Sequence, residues 1–184
     1  MQVSSSPVPT PLPTRWRLPP LLKASVACHA GAAALTLAQP AWWPWALGAV
    51  AFDHALVTAT GLWPRSTWLG ANLLRLPAAS AERHEVALTI DDGPDPEITP
   101  AVLDLLDAHA ARATFFCIAR HAQAHAPLCR EIVRRGHSVQ NHSFAHSHRF
   151  SVSGPTALRR DVTQAQDVLA QITGQRPRFF RAPA

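Results

Sequence analysis

Two nearly unbroken apolar runs, 21–38 (LLKASVACHAGAAALTLA) and 41–63 (AWWPWALGAVAFDHALVTATGLW), stand apart by only Gln39 and Pro40. A bilayer core takes about 20 predominantly apolar residues as one helix. The second run meets that length and the first falls just short of it. Lys23 and His29 interrupt the first run, and Asp53-His54 the second. A carboxylate near the middle of a span is costly in lipid. Clustered tryptophans at 42–45 and at 63–68 suit the two interfaces of a membrane. An Ala-rich helical pair buried in a soluble protein would use the same residues. So would a secretory signal ending near Ala38, although the basic region is long for a signal and lacks a good A-x-A cleavage site. The reading taken forward is a two-span hairpin, with spans at 21–38 and 41–63 inside a membrane segment 21–78. Residues 1–20 form a Ser/Pro-rich lead, with Pro at 7, 9, 11 and 13. It cannot sustain a helix and has little to bury, so disorder is expected.

The charge supports a division into two parts. Residues 1–78 carry Arg15, Arg17, Lys23, Arg65 and Arg75 against Asp53 alone, while the rest of the chain is nearly neutral. Basic groups flanking apolar runs act as topology signals, and no nucleic-acid footprint is implied. By the positive-inside rule both flanks, and everything from residue 79 onward, lie on the cytoplasmic side. Asp53 leaves the extracytoplasmic face as the alternative. Cys28, Cys117 and Cys129 show no metal-type spacing and imply no disulfide framework, and Cys117 falls in an apolar run where a free thiol packs as a small hydrophobe.

From Glu85 the pattern becomes β/α alternation. Residues 86–90 read as a strand. Residues 100–110 read as a helix with Thr99 as N-cap and Leu103, Leu106 and Ala110 on one face. Residues 113–118 (ATFFCI) read as a buried strand, 127–135 as a short helix closed by Gly136, and 138–140 as a third strand. The clearest helix is 156–173, with Leu158, Val162, Ala165, Leu169 and Ile172 in register and Gly174 ending it. A fourth strand is expected over 178–181. Strands alternating with helices imply a parallel sheet or barrel, an α/β architecture.

In parallel α/β folds, chemistry collects at the carboxyl ends of strands. Here the first strand ends in Asp91-Asp92, the third in NHSFAH (141–146) and the fourth at Arg181. His142 and His146 are four apart, so on a helical turn both imidazoles would face one cation. Catalytic zinc usually takes three protein ligands, and one carboxylate of the Asp pair completes the set. Adjacent like charges repel, and a metal cation with Arg181 relieves that repulsion. The spacing differs from the H-E-x-x-H of metalloproteases because Ser143 stands where that motif has its Glu base, which disfavours a zincin-like peptidase. Each signal is weak alone: ten histidines produce chance pairs, Asp-Asp-Gly-Pro forms turns, and Arg181 could serve a surface ion pair. His109, His121, His125 and His137 read as ordinary helix or loop residues.

TIDDGPD (89–95), NHSFAH (141–146) and FFRAPA (179–184) together resemble the first three motifs of the polysaccharide deacetylases, the carbohydrate esterases of family 4 with a NodB-homology domain. The resemblance covers residues 86–184. It implies a distorted (β/α) barrel, of which this chain holds a partial, truncated form ending after the fourth strand. It implies that Asp91 is the catalytic base and that Asp92, His142 and His146 ligate a divalent metal, Zn²⁺ first with Co²⁺, Fe²⁺ or Ni²⁺ as alternatives. Arg181 would orient the base. The implied substrate is an N-acetylated carbohydrate, and catalytic domain 79–184 would remove its N-acetyl groups. The family's fourth and fifth motifs, with the general-acid His, lie further downstream. The expectation is therefore a fragment, with Phe115, Phe116, Phe179 and Phe180 meeting water and little turnover. The rival is a catalytically inactive membrane-anchored module that keeps a metal-binding half-barrel.

Overall fold

The computed structural model describes residues 18–63, 65–70, 72 and 75–183. Most of the expected disordered lead lies outside these residues, as do Arg15, Trp16, Arg17 and Ala184. The chain divides into two compact units, Met1–Arg75 and Leu76–Ala184.

In the first unit, Ala- and Leu-rich sequence forms helix α1 (Pro20–Ala38) and helix α2 (Trp43–Leu62), joined by a single 3₁₀ turn, Pro40–Trp42. Each helix has a proline in its first turn, where the missing N–H has no intrahelical partner to lose. The 19 residues of α1 extend about 28 Å at 1.5 Å per residue, close to the thickness of a hydrocarbon core. The two helices pack along each other. Their surfaces carry exposed Leu37, Trp45, Phe52 and Leu62. Asp53 is buried between them instead of facing outward, and Ser25 Oγ donates to its Oδ2 at 2.6 Å. His29 Nδ1 donates to the Ser25 carbonyl at 2.8 Å, which leaves its Nε2 to accept from His54 Nε2 at 3.3 Å. Ser25, His29, Asp53 and His54 thus meet one another.

The second unit opens with helix α3 (Ala78–Glu82). Then come strand β1 (Leu88–Asp91), helix α4 (Ile98–Ala108), strand β2 (Ala113–Cys117), helices α5 (Ala119–Ala124) and α6 (Ala126–Arg134), strand β3 (Ser138–Asn141) and helix α7 (Pro155–Thr173). The strands form a parallel sheet in the order β1-β2-β3, with Ile90 opposite Phe115 and Phe115 opposite Val139. Helical crossovers between parallel neighbours bring all three carboxyl ends to one edge. Leu103, Phe115, Cys117, Cys129, Ile132, Ala165 and Leu169 form the dry core. Full burial of a Leu, Ile or Phe side chain there stabilises the fold by about 1.5–3 kcal/mol. Gly174 adopts φ 71° at the end of α7, and Gly136 φ 82° after α6, the left-handed caps their positions call for.

Several local expectations change. Strand β1 begins two residues later than expected, with Val86 exposed, and includes Asp91. Thr99 is not the N-cap of α4. Asp95 Oδ1 accepts from the backbone N–H groups of Glu97 and Ile98 at 2.8 Å each, while Thr99 Oγ1 accepts from Asp95 N. Those backbone donors, Ile98 first, hold the Asp95 carboxyl below its usual range. Helix α5 adds an element over Ala119–Ala124, where the sequence pattern predicts none. Residues 178–181 form no strand, only an isolated bridge between Phe180 and Asn141. Pro177 precedes them and cannot donate, and the Gln140 side chain takes the N–H groups of Arg178 and Phe179 at 2.7 and 2.8 Å. Phe115 and Phe116 are 1% and 7% exposed, not open to water, because the helices cover β2 and Arg181 lies over Phe116. Phe180 remains 43% exposed and packs on Phe150.

Candidate metal centre

The polar ends of β1 and β3 converge with the Arg181 segment. Asp91 is the last residue of β1, and Asp92 follows with φ 69°, a left-handed conformation in which Asp is among the more tolerant residues. The Gly93 carbonyl then accepts Ile118 N–H at 2.9 Å, tying this turn to the end of β2. His121 Nδ1 donates to the Asp92 carbonyl at 3.1 Å.

His142 leaves β3 with its N–H on the Cys117 carbonyl at 3.1 Å. His142 and His146 do not share a helical turn. Ser143 and His146 have φ 69° and 49°, and side chains replace the helical hydrogen bonds. Asn141 Oδ1 accepts Ser143 N–H at 2.9 Å, and Ser143 Oγ accepts His146 N–H at 3.0 Å. The loop is pinned outside by Ala119 and Arg120 N–H on the Ser143 and Phe144 carbonyls, both at 3.0 Å. Asp161 of α7 accepts Phe144 N–H at 2.9 Å. The imidazoles meet all the same, with ring centroids 4.9 Å apart.

Asp92 Oδ1 lies 3.3 Å from His142 Nε2 and 3.2 Å from His146 Nε2. One ligand atom from each of the three residues falls within 4.8 Å of the others. The donor set, two imidazole nitrogens and one carboxylate oxygen, suits a divalent first-row metal. His142 Nδ1 donates to the Arg181 carbonyl at 2.8 Å, so its proton is fixed there and Nε2 presents a lone pair to the centre. The His142 side chain is 4% exposed while that of Asp92 is 66% exposed, leaving the centre open on the carboxylate side.

Asp91 has a different partner. Its Oδ1 accepts from Arg181 Nη1 at 2.6 Å, and the same nitrogen reaches Thr89 Oγ1 at 3.2 Å. The guanidinium lies 4.2 Å over the Phe116 ring centroid, a cation–π contact that fixes its plane. The five residues singled out from the sequence, Asp91, Asp92, His142, His146 and Arg181, therefore stand together in one cluster. Sequence reasoning did not single out Asn141, Gln140, Thr89, Phe116 or Gln166. Asn141 is fully buried at a strand end, where burial demands partners, and its place as the first residue of the 141–146 motif was the available signal.

The chain belongs to the polysaccharide deacetylase family, which residues 78–184 match, more than half of the sequence. It is 36% identical over 99 residues to a peptidoglycan-N-acetylglucosamine deacetylase of Bacillus cereus, covering 54% of this chain and 36% of that protein. It is 38% identical over 99 residues to a chitooligosaccharide deacetylase of Azorhizobium caulinodans, covering 53% and 47%. The peptidoglycan deacetylase PdaC from Bacillus subtilis superposes with a TM-score of 0.51 at 32% identity, over 53% of this chain and 48% of that one. The chain spans between about a third and a half of the length of these relatives. Its α/β unit is thus a partial form of the family fold, as the sequence motifs implied.

Proposed function

We propose that this chain carries the metal-binding, base-bearing part of a membrane-anchored hydrolase that removes N-acetyl groups from carbohydrate. The observation that carries the reading is the separation of partners between adjacent acids: Asp92 faces His142 and His146, and Asp91 is held by Arg181. Asp92, His142 and His146 hold the ion, with Zn²⁺ favoured by the nitrogen-rich, three-ligand set. When bound, such an ion polarises an acetyl carbonyl and lowers the pKa of water at its open position. Asp91 accepts the proton of the attacking water. Arg181 occupies Asp91 Oδ1, which leaves Oδ2 for that proton and fixes the direction of transfer. The names of the relatives, which act on peptidoglycan amino sugars and on chitooligosaccharides, support an N-acetylated amino sugar as substrate.

Two helices long and apolar enough to cross a bilayer support anchoring through residues 21–78, with 79–184 as the catalytic part. Arg65 and Arg75 after the second span favour the cytoplasmic side for that part. The test is acetate release from N-acetylated chitooligosaccharide by the protein expressed from its whole reading frame, loaded with Zn²⁺. Acetate release that disappears in Asp91→Asn is expected. Release no faster in the wild type than in Asp91→Asn overturns the reading.

A further inference from the structure

Helix α7 has no residue in the metal cluster, yet one of its side chains touches both halves of the site's support. We propose that Gln166 is a positioning residue that sets the histidine loop and the Arg181 segment together, an inference that rests on the proposed metal site. Its Oε1 accepts from Asn141 Nδ2 at 3.0 Å, and its Nε2 donates to the Pro177 carbonyl. Asn141 is buried with every amide position used: Nδ2 also donates to the Val162 carbonyl at 3.0 Å, and Oδ1 accepts Ser143 N–H at 2.9 Å. Ser143 Oγ then receives His146 N–H. One run of hydrogen bonds thus leads from Gln166 through Asn141 and Ser143 to His146.

The other arm leads to Arg181. Residues 178–181 lack a strand ladder: Asn141 exchanges backbone bonds with Phe179 and Arg181, the Gln140 amide takes the N–H groups of Arg178 and Phe179, and Gln166 holds Pro177 just before them. The Arg181 carbonyl takes the His142 proton at Nδ1, and its guanidinium takes Asp91. Only an amide supplies a donor and an acceptor from one side chain with this geometry; Glu keeps the acceptor alone and Leu keeps neither. A network this enclosed loses more than one bond when a member is removed, because the remaining polar atoms stay buried.

The test uses the full chain in detergent, with Zn²⁺ affinity read by competition against a chromophoric chelator. Amide exchange is followed on residues 177–183, with Leu103–Leu106 of α4 as reference. Gln166→Leu is expected to weaken Zn²⁺ about 10-fold, the lower end of the effect of outer-shell partners. It should also speed exchange at 177–183 about 10-fold with α4 unchanged, the signature of local opening. Gln166→Glu, which retains the acceptor for Asn141, should hold Zn²⁺ affinity within about threefold while exchange at 177–183 rises as in the Leu variant. A change confined to one readout in Gln166→Leu, no change at all, equal loss in both readouts for Gln166→Glu, or a parallel rise in α4 overturns the proposal. A wild-type chain that binds no Zn²⁺ defeats the metal reading instead, and the exchange arm still decides whether Gln166 braces residues 177–183.

Discussion

Arg181 binds His142 with its backbone and Asp91 with its side chain: its carbonyl accepts from Nδ1 at 2.8 Å, and its Nη1 donates to the carboxylate at 2.6 Å. The two contacts separate under mutation, because replacing the side chain leaves the carbonyl in place. Arg181→Ala is therefore expected to leave Zn²⁺ affinity nearly unchanged while lowering kcat about 100-fold, the cost of a misdirected catalytic group. Paired metal titration and acetate-release kinetics on the same preparation check this. Loss of metal with loss of rate would place Arg181 in the wrong role.

The adjacent acids should part in the same way. Asp91→Asn retains metal and loses turnover by about 10²–10⁴-fold, the usual contribution of a positioned base. Asp92→Asn loses metal affinity as well. Elemental analysis after gel filtration distinguishes them, and equal metal loss in both variants would mean that the assignment to Asp92 alone is mistaken.

Burial pushes the His137 imidazole below its ordinary value near 6.5. Its Nδ1 accepts from Ala113 N–H at 3.3 Å, which puts the neutral ring's proton on Nε2, buried and without a partner among the described residues; a second proton would have to displace the Ala113 donor at Nδ1. As pH falls below about 6.5 the unfolded chain takes up the proton first, so this contribution is complete above that pH and is lost beneath it. Glu131, held at about 2 by Arg134 and Arg135, acts in a separate window below its ordinary value of 4.5. Urea midpoints by circular dichroism should fall between pH 7 and pH 5.5 in the wild type, and less steeply in His137→Gln. Identical slopes would remove His137 from the account.

The Ser25–Asp53 hydrogen bond closes the hairpin. Interhelical side-chain bonds of this kind contribute about 0.6–2 kcal/mol in a bilayer. Cys28 Sγ lies 3.8 Å from the Ala49 carbonyl, so Ala49→Cys places a second thiol beside the native one. Oxidative cross-linking of that pair in membranes should slow when Ser25→Ala is added. An unchanged rate would show that apolar packing alone holds α1 to α2.

Basic flanks predict that a reporter fused after Leu76 is active in the cytoplasm and silent outside it. The opposite pattern reverses the topology.

The acid pair and the histidine motif were legible because they follow strands β1 and β3, where charge has no structural use. Helix α7 was legible from its apolar spacing, and Ala165 and Leu169 are indeed fully buried. The local geometry was not. A four-residue histidine spacing reads as a helical turn, but Asn141 and Ser143 offer the backbone closer partners and bend it through left-handed conformations. Residues 178–181 have the composition of a strand, and only the fold reveals that a single bridge to Asn141 and the Gln140 side-chain amide stand in for a full ladder. Such replacements depend on which side chains face each other, which periodicity does not report.

The bracing of the histidine loop by α7 has a consequence for how the chain can vary in length. Asp161, Val162 and Gln166 bind residues 141–144 directly, whereas residues 147–154 turn mainly on their own bonds, from Phe150 N–H to Ser147 and from Ser153 N–H to Phe150. Extra residues inserted between Ser147 and Gly154 would lengthen an outward excursion without moving either imidazole. A single residue inserted between Asn141 and His146 would put every brace out of step.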